Sequence, residues 1–301
     1  MSSVFFKRPP LKKLAKEGFF GVDFHFHTRF SLDGISRIRS AVKKAEKKGF
    51  GFAITDHNTI KGVIASYKQR EHTVIIPGIE ITCRNGNHLL MYFYNHRELE
   101  EFFDKKLKPR MKNNPFFIDI SAEELSYITK DYNCHMAAPH PFAPGAVGIK
   151  HTGVSTALEK KFDMIEVING YNFRKSNMEA VLWATKAKKG MTGGSDGHST
   201  YELGKVLTFT HGNDIESIFK DILKRDSVVI GKEDNLFLKA VMSIRKESAY
   251  VNRSKKQHMA KTLIRSQLGT EYKYLKEKFK HGRAYHMLTR HHEEIVKQKT
   301  K

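Results

Sequence analysis

The sequence predicts an α/β fold in which short strands alternate with helices and the sheet closes into a barrel. Three observations lead to this prediction. Short apolar runs alternate with amphipathic stretches from Gly21 to about Gly231, which is typical of a mostly parallel sheet covered by helices. Reactive side chains recur where the predicted strands end, as they do in such barrels. Residues 236–301 show helical spacing with almost no strand pattern, so a helical extension is expected there.

Hydrophobic periodicity and capping residues predict the individual elements. In the segment 35–49, apolar residues recur at helical spacing and Gly49 supplies a C-cap. Ser121 stands three residues before Glu124, which is the pattern of a capping box. The predicted strands are 21–27, 50–55, 73–82, 88–94, 134–140, 163–168, 205–210 and 227–230. The predicted helices are 35–49, 59–70, 121–132, 176–190 and 214–225.

The net charge is +21 over 301 residues, and most of the excess lies at the two ends. Lys and Arg outnumber Asp and Glu five to one in residues 1–19 and 17 to five in residues 236–301. Basic flanks favour a polyanionic partner such as RNA, DNA or an acidic membrane surface, and a solvated basic surface is the plain alternative. We therefore expect a basic N-terminal segment (1–19), a barrel (20–232) and a basic helical C-terminal extension (233–301).

Hydropathy and cysteine content narrow the class of protein. No stretch approaches 18 consecutive apolar residues, and the N-terminus lacks the apolar region and cleavage site of a secretory signal. Cys83 and Cys134 are the only cysteines, which is too few for a disulfide framework. The sequence therefore predicts a reduced, cytoplasmic protein without a membrane span.

Nine histidine and carboxylate side chains at or near strand ends are candidate metal ligands. His25 and His27 alternate along an apolar strand, so both side chains face the same side of the sheet. Imidazole suits Zn, Mn or Fe, and carboxylates add charge neutralisation and bridging. A single buried histidine is more often a hydrogen-bonded core residue, but a whole set at strand ends favours a metal centre. The candidates are His25, His27, Asp33, His57, Glu80, His88, His140, Asp196 and His198.

The order of these residues resembles that of the PHP (polymerase and histidinol phosphatase) domain, a family of metal-dependent phosphoesterases. The resemblance covers about residues 20–232 and rests on His-x-His, Thr-Asp-His, Gly-x-Glu, Pro-His-Pro and Gly-Ser-Asp-x-His elements. It implies a distorted seven-stranded (β/α) barrel and two or three divalent ions of Mn, Zn or Fe. The implied ligand sets are His25, His27, Glu80 and Asp196, then Glu80, His88 and His140, and finally Asp33, His57 and His198. His96 is the alternative to His88.

The resemblance also implies hydrolysis of phosphate esters by a metal-activated water, with Glu80, Asp196 and His198 as catalytic residues. The sequence contains no P-loop motif that would favour another mechanism. Asp56 and Glu166 are expected to orient the histidines. Cations close after the ligands are candidate substrate anchors, although each one alone is more often a plain surface charge. They are Arg29, Arg84, Arg174 and Lys175.

The short form with Asp33 is most similar to the branch of the family that removes phosphate from nucleotides or degrades RNA from a 5′ phosphate. The basic flanks support such a nucleic-acid substrate. One alternative is a small phosphomonoester phosphatase of the histidinol-phosphate type, which has no use for basic flanks. A second is an amidohydrolase, whose barrel also begins with His-x-His but which fits Glu80 less well. The third is a non-catalytic basic nucleic-acid-binding module, which need hold no metal.

Overall fold

A computed structural model describes residues 2–68, 73–111, 116–145, 147–151 and 153–234. Ten strands of these residues form one curled sheet that is packed against helices. The strands are β1 (Ser3–Phe5), β2 (Phe20–Asp23), β3 (Phe50–Ile54), β4 (Ile75–Thr82), β5 (His88–Phe93), β6 (Cys134–Ala138), β7 (Met164–Asn169), β8 (Gly190–Gly194), β9 (Val206–Thr210) and β10 (Val228–Gly231). The helices are α1 (Leu11–Lys16), α2 (Ile38–Lys48), α3 (Lys61–Ser66), α4 (His96–Phe102), α5 (Ala122–Ile128), α6 (Thr156–Lys161), α7 (Arg174–Ala187) and α8 (Ile215–Leu223).

The sheet has the strand order β1-β10-β9-β2-β3-β4-β5-β6-β7-β8. Strand pairs β1–β10, β2–β3, β3–β4, β6–β7 and β7–β8 are parallel, and the other four pairs are antiparallel. The α/β class is therefore confirmed, but the sheet is more mixed than predicted. The count of seven strands is wrong, because the described residues alone contain ten.

Two of the ten strands, β1 and β8, could not be predicted from their sequences. Strand β1 is only three residues long and belongs to the segment predicted as a separate basic N-terminus, yet it pairs with β10. Strand β8 reads Gly-Met-Thr-Gly-Gly, a composition that is depleted in strands. A Cβ atom on Gly194 would lie 2.3 Å from Cβ of His25. Strand β8 therefore approaches the segment that follows β2 at a distance that only glycine allows.

The predicted helix ends agree with the structure at two points and differ at a third. Gly49 ends α2 in the left-handed conformation, with φ of 72°, and the capping box of Ser121 and Glu124 opens α5. Helix α7 ends instead at Ala187, with Lys188 as its C-cap in the left-handed conformation at φ of 54°, and Gly190 already belongs to β8. Helices α1, α4 and α6 were not predicted. The residues predicted to form the helical extension after Asp234 lie outside the described part of the chain.

Apolar side chains on both faces of the sheet fix the strands that carry the polar ends. Phe24, Tyr92 and Phe219 pack together on one face, where the Tyr92 hydroxyl donates a hydrogen bond of 2.8 Å to the Phe24 carbonyl. On the other face, Ile38 and Val42 of α2 join a larger core. Burial of this kind contributes most of the stability of such a scaffold. Among the described residues, no helix is long and apolar enough to cross a membrane.

Candidate metal centre

The nine predicted ligands converge at one edge of the sheet. Parallel strands end at the same edge, so residues that follow β2, β3, β6 and β8 meet there. Strand β5 runs in the opposite direction, which brings its first residue, His88, opposite Thr82 at the end of β4. Isolated bridges between Phe26 and Gly197 and between His57 and Glu80 extend the pairing beyond the strands into the cluster.

Glu80 lies at the centre of the cluster and is almost completely buried. Its two carboxylate oxygens face different histidines. Oε1 lies 2.9 Å from Nδ1 of His88 and 3.0 Å from Nε2 of His140. Oε2 lies 3.2, 3.2 and 3.3 Å from Nε2 of His25, His27 and His57 respectively. One carboxylate therefore contacts five imidazoles.

Two further carboxylates complete the cluster. Asp33 Oδ2 lies 2.8 Å from Nε2 of His198 and 3.6 Å from Nε2 of His57. Asp196 Oδ1 lies 3.3 Å from Nε2 of His27 and 3.6 Å from that of His25. Potential ligand atoms within 4.8 Å of one another form four overlapping groups, which are His27, Asp33, His57 and His198; His25, His140 and Asp196; His25, His27 and Glu80; and His57, Glu80 and His88.

The donor set fits divalent cations. His25 Nε2 and His27 Nε2 are 3.1 Å apart, and both face Oε2 of Glu80. Nitrogen and oxygen donors that converge in this way present lone pairs to a common point, as metal ligands do. Within the part of the chain that the structure describes, Nδ1 of His27 and Nδ1 of His140 are buried without a hydrogen-bond partner. The atoms that a cation would satisfy are the Nε2 atoms of His25 and His27, which lie in contact with each other.

Burial and neighbouring charges shift the pKa values of the cluster residues in different directions. Burial lowers the pKa of His27, but hydrogen bonds with Asp196 and Glu80 outweigh this effect and raise it to about 9. Burial lowers the pKa of His57 to about 3, despite the charges of nearby carboxylates. Burial would raise the pKa of Glu80, but the imidazoles hold it well below the usual range. At neutral pH a cation would therefore replace a proton on His27, whereas His57 is already neutral.

A second layer of hydrogen bonds orients the cluster. Glu166 Oε1 lies 3.0 Å from Nδ1 of His25, the position expected of an orienting carboxylate. The Asn169 amide donates to Glu166 Oε2 at 2.9 Å and to Asp196 Oδ2 at 3.3 Å. Asn169 was not predicted, because residues three apart on a regular strand face opposite sides. The irregularity between Glu166 and Ile168 in β7 turns both side chains to the same side.

Asp56 has a different role from the one expected. Its carboxylate accepts hydrogen bonds from the Thr28 backbone N–H at 2.6 Å and from the Thr28 hydroxyl at 2.7 Å. These contacts fix the chain directly after His27. Asp56 thus holds the ligand-bearing loop through its backbone instead of orienting an imidazole.

Backbone conformation marks the same region. Five non-glycine residues have positive φ among the described residues, and His140, Asp196 and Asn58 are three of them, with φ of 59°, 49° and 52°. Asn58 follows the ligand His57, and its side chain accepts a hydrogen bond of 2.9 Å from the Thr82 N–H. Left-handed backbone costs free energy in residues that carry a Cβ atom, and such outliers cluster at functional sites.

Two of the four predicted substrate anchors are held by carboxylates outside the cluster. Arg84 forms ion pairs with Asp119 at 2.9 Å and Glu124 at 3.0 Å. Arg174 binds both carboxylate oxygens of Glu233, at 2.6 and 2.9 Å, and lies over the ring of Phe6. The other two anchors, Arg29 and Lys175, have exposed side chains, and the Arg29 guanidinium lies 5.5 Å from the ring centroid of Phe30.

Position distinguishes His88 from its alternative His96, and burial affects the two cysteines. His96 opens α4 and packs against the ring of Tyr67 at 3.8 Å, whereas His88 contacts Glu80. Burial raises the pKa of Cys83 and of Cys134 to about 12, so neither thiol is a thiolate nucleophile at neutral pH.

The chain matches two family models, the PHP domain over residues 23–135 and the PHP-associated region over residues 174–227. Together these matches cover more than half of the chain. The protein belongs to the PHP family of metal-dependent phosphoesterases. It is 29% identical over 165 residues to the uncharacterized protein MJ1587 of Methanocaldococcus jannaschii. The aligned region covers 50% of this chain and 82% of that protein.

Solved structures share the fold at low sequence identity. A Bacteroides vulgatus two-domain protein containing a predicted PHP-like metal-dependent phosphoesterase has a TM-score of 0.55 at 19% identity, over 80% of this chain and 73% of that one. The lesion-specific endonuclease PfuEndoQ of Pyrococcus furiosus has a TM-score of 0.57 at 17% identity, over 70% and 57%. Endonuclease Q in complex with a duplex that carries an abasic lesion has a TM-score of 0.56 at 17% identity, over 68% and 56%.

Proposed function

We propose that this protein hydrolyses a phosphate ester of a nucleotide or of a 5′-phosphorylated nucleic acid by means of a metal-activated water. The observation that carries the proposal is the buried Glu80 carboxylate in contact with five imidazoles. Asp33 and Asp196 extend this arrangement on either side. Divalent ions held there would activate a water molecule for attack on phosphorus and neutralise the charge of the phosphate oxygens.

The division of ligands among ions is part of the proposal. His25, His27, Glu80 and Asp196 would hold one ion, and Glu80, His88 and His140 a second. A bridging role for Glu80 is supported by its two oxygens, which face His88 and His140 on one side and His25 and His27 on the other. Asp33, His57 and His198 would hold a third, with His27 nearby.

Contacts within the protein favour one tautomer of two of these histidine ligands. His25 Nδ1 lies against Glu166, which favours a proton on Nδ1 and leaves the Nε2 lone pair facing the cluster. His198 Nδ1 lies 2.8 Å from the Asp196 carbonyl oxygen, which favours the same tautomer. His198 Nε2 can then bind a cation or accept a proton beside Asp33. We assign the catalytic roles to Glu80, Asp196 and His198 on this basis.

Charge supports a nucleic-acid substrate. The net charge of +21 is concentrated in residues 1–19 and 236–301, and phosphate contacts supply most sequence-independent affinity for nucleic acids. Arg29, two residues after His27, and Lys175 are proposed to contact substrate phosphates. In the endonuclease Q complex, the same fold binds a nucleic acid with its lesion at the active site, which supports a nucleic-acid substrate for this fold. Deletion of residues 236–301 without loss of affinity for RNA or DNA would contradict a substrate-binding role for that segment.

The test is hydrolysis of a short 5′-phosphorylated RNA with Mn²⁺, beside a small phosphomonoester and with Asp196→Asn as control. Stepwise mononucleotide release or release of the 5′ phosphate, abolished in the control, would support the proposal. Hydrolysis of the small ester alone would favour the small-molecule phosphatase. Metal binding without hydrolysis of either substrate would contradict the proposed substrate class.

A further inference from the structure

Tyr201 is a large aromatic side chain that the fold leaves in solvent, with 66% of its surface exposed. Lys205 Nζ lies 4.2 Å from the centre of its ring. Lys44 Nζ donates hydrogen bonds to the backbone carbonyls of Thr200 and Tyr201, at 2.7 and 3.1 Å. Lys44 therefore binds the backbone at Tyr201, and Lys205 lies over the ring, while most of the surface of Tyr201 stays accessible.

Several lysines lie near the backbone of Tyr201. Partial burial is the main cause that lowers the pKa of Lys44, and the charges of Lys205 and Lys48 lower it further, although Asp23 and Glu202 raise it. Helix α2 also exposes Lys43, Lys47 and Lys48. Lysines four residues apart on a helix are separated by about 6 Å along its axis. We call Lys43, Lys44, Lys47, Lys48 and Lys205, together with Tyr201, the α2 basic face.

The α2 basic face begins at the metal cluster. Tyr201 stands three residues after the candidate ligand His198, and Ile35 donates its N–H to the His198 carbonyl at 2.8 Å. The Ser36 and Thr200 hydroxyls are 3.1 Å apart, which joins the loop of Asp33 to the loop of His198. Glu202 accepts hydrogen bonds from the N–H groups of His198 and Ser199. The candidate ligand His198 and Tyr201 thus lie on one loop, which is hydrogen-bonded to the segment that leads into α2.

We infer that the α2 basic face binds single-stranded nucleic acid, with an unpaired base stacked on Tyr201 and backbone phosphates against the α2 lysines. This inference rests on the proposed function, since it names the part of the nucleic acid that lies outside the cluster. An exposed aromatic ring among cations is the arrangement by which proteins bind unpaired bases without sequence preference. A duplex keeps its bases stacked on one another, so Tyr201 would discriminate between single and double strands.

The experiment measures equilibrium binding of a fluorescent, short 5′-phosphorylated single strand to the full chain. Every variant also carries Asp196→Asn so that the probe stays intact. Tyr201→Ala is expected to weaken binding about tenfold. The matched control is Tyr127→Ala on α5, because Tyr127 is 61% exposed and has Lys130 Nζ at 4.8 Å from its ring. That control is expected to bind like the parent protein.

The phosphate contacts are tested by the salt dependence of binding. Lys47→Ser with Lys48→Ser, in the last turn of α2, is expected to reduce the slope of log affinity against log salt by about 1.4, because each contact to a single strand contributes about 0.7. The control pair is Lys160→Ser with Lys161→Ser, which occupies the last turn of α6. Equal slopes for the two pairs would overturn the lysine contacts.

Two results separate this inference from the proposed function. If the chain with Asp196 intact cleaves the single strand while Tyr201→Ala and Tyr127→Ala bind it equally, the α2 basic face is wrong and the function stands. If Tyr201→Ala weakens binding but no phosphate ester of any probe is hydrolysed, the binding surface stands and the function is wrong. Equal affinity of the parent protein for single strand and duplex would also overturn the inference.

Discussion

The side-chain amide of Asn169 donates a hydrogen bond of 2.9 Å to Oε2 of Glu166, and the other oxygen of this carboxylate contacts Nδ1 of His25. The carboxylate is thus held from behind while it orients an imidazole. A glutamine at position 166 would present one amide oxygen and one N–H donor to two groups that both need an acceptor. One of the two contacts must then be lost.

We therefore expect Glu166→Gln to weaken divalent-metal affinity by about 10- to 100-fold, the usual effect of losing an orienting partner. Titration of Mn²⁺ or Zn²⁺ against a competing chelator measures the change. Glu100→Gln, an exposed position on α4, is the control and should bind metal like the parent protein. Unchanged affinity in Glu166→Gln would show that His25 needs no orienting carboxylate.

Glu80→Gln should reduce the number of bound divalent ions by at least one and abolish phosphate-ester hydrolysis. A glutamine side chain retains the shape but supplies a neutral oxygen and an N–H donor to histidines that face both positions of the carboxylate. Metal content of the purified variant, measured by elemental analysis, checks the first expectation. A full complement of ions in Glu80→Gln would contradict the bridging role.

Metal affinity should rise with pH up to about pH 9. His27 has its pKa raised to about 9 in the metal-free protein, because hydrogen bonds with Asp196 and Glu80 outweigh the effect of burial. Below that pH the imidazole carries a proton that a cation must displace, so each displaced proton makes the affinity about tenfold stronger per pH unit. Calorimetric titrations in buffers of different ionisation enthalpy report the protons released. A pH-independent affinity without proton release would refute this expectation.

Gly194→Ala should lower the free energy of unfolding by about 1–3 kcal/mol, the typical cost of overpacking. The new Cβ would lie 2.3 Å from Cβ of His25 and 2.5 Å from its backbone nitrogen, so β8 or the ligand segment must shift. Denaturant unfolding of the metal-free protein measures the stability, and metal titration of the folded protein measures the shift of His25. A variant with parental stability and parental metal affinity would contradict the close approach described here.

The convergence of the nine candidate ligands was more predictable than the sheet, because these residue types are costly to bury. Histidines and carboxylates at the ends of apolar runs mark positions where the chain must provide partners, and the structure brings all nine together. Their assignment to particular ions stays a prediction. Strands β1 and β8 gave no comparable signal, since one is very short and the other is mostly glycine.

Contacts between residues distant in sequence could not be predicted from the sequence alone. The irregularity in β7 that aligns Asn169 with Glu166 has no marker in the residue types. Arg84 and Arg174 had the charge expected of substrate anchors, but Glu124 and Glu233, which neutralise them, lie 40 and 59 residues away. An isolated sequence gives the charge of a side chain, whereas its availability depends on the partners that the fold supplies.

The pairing of β1 with β10 has a practical consequence for producing this protein. Three residues, Ser3–Phe5, cover the outer hydrogen-bonding groups of β10. Without them, β10 would become an exposed edge, which is a template for association with other chains. The short β1 is itself followed by the charged residues Lys7 and Arg8, which discourage further pairing. Removal of the first six residues, or a bulky tag fused directly to them, is therefore a route to aggregation even though the metal centre lies elsewhere in the sheet.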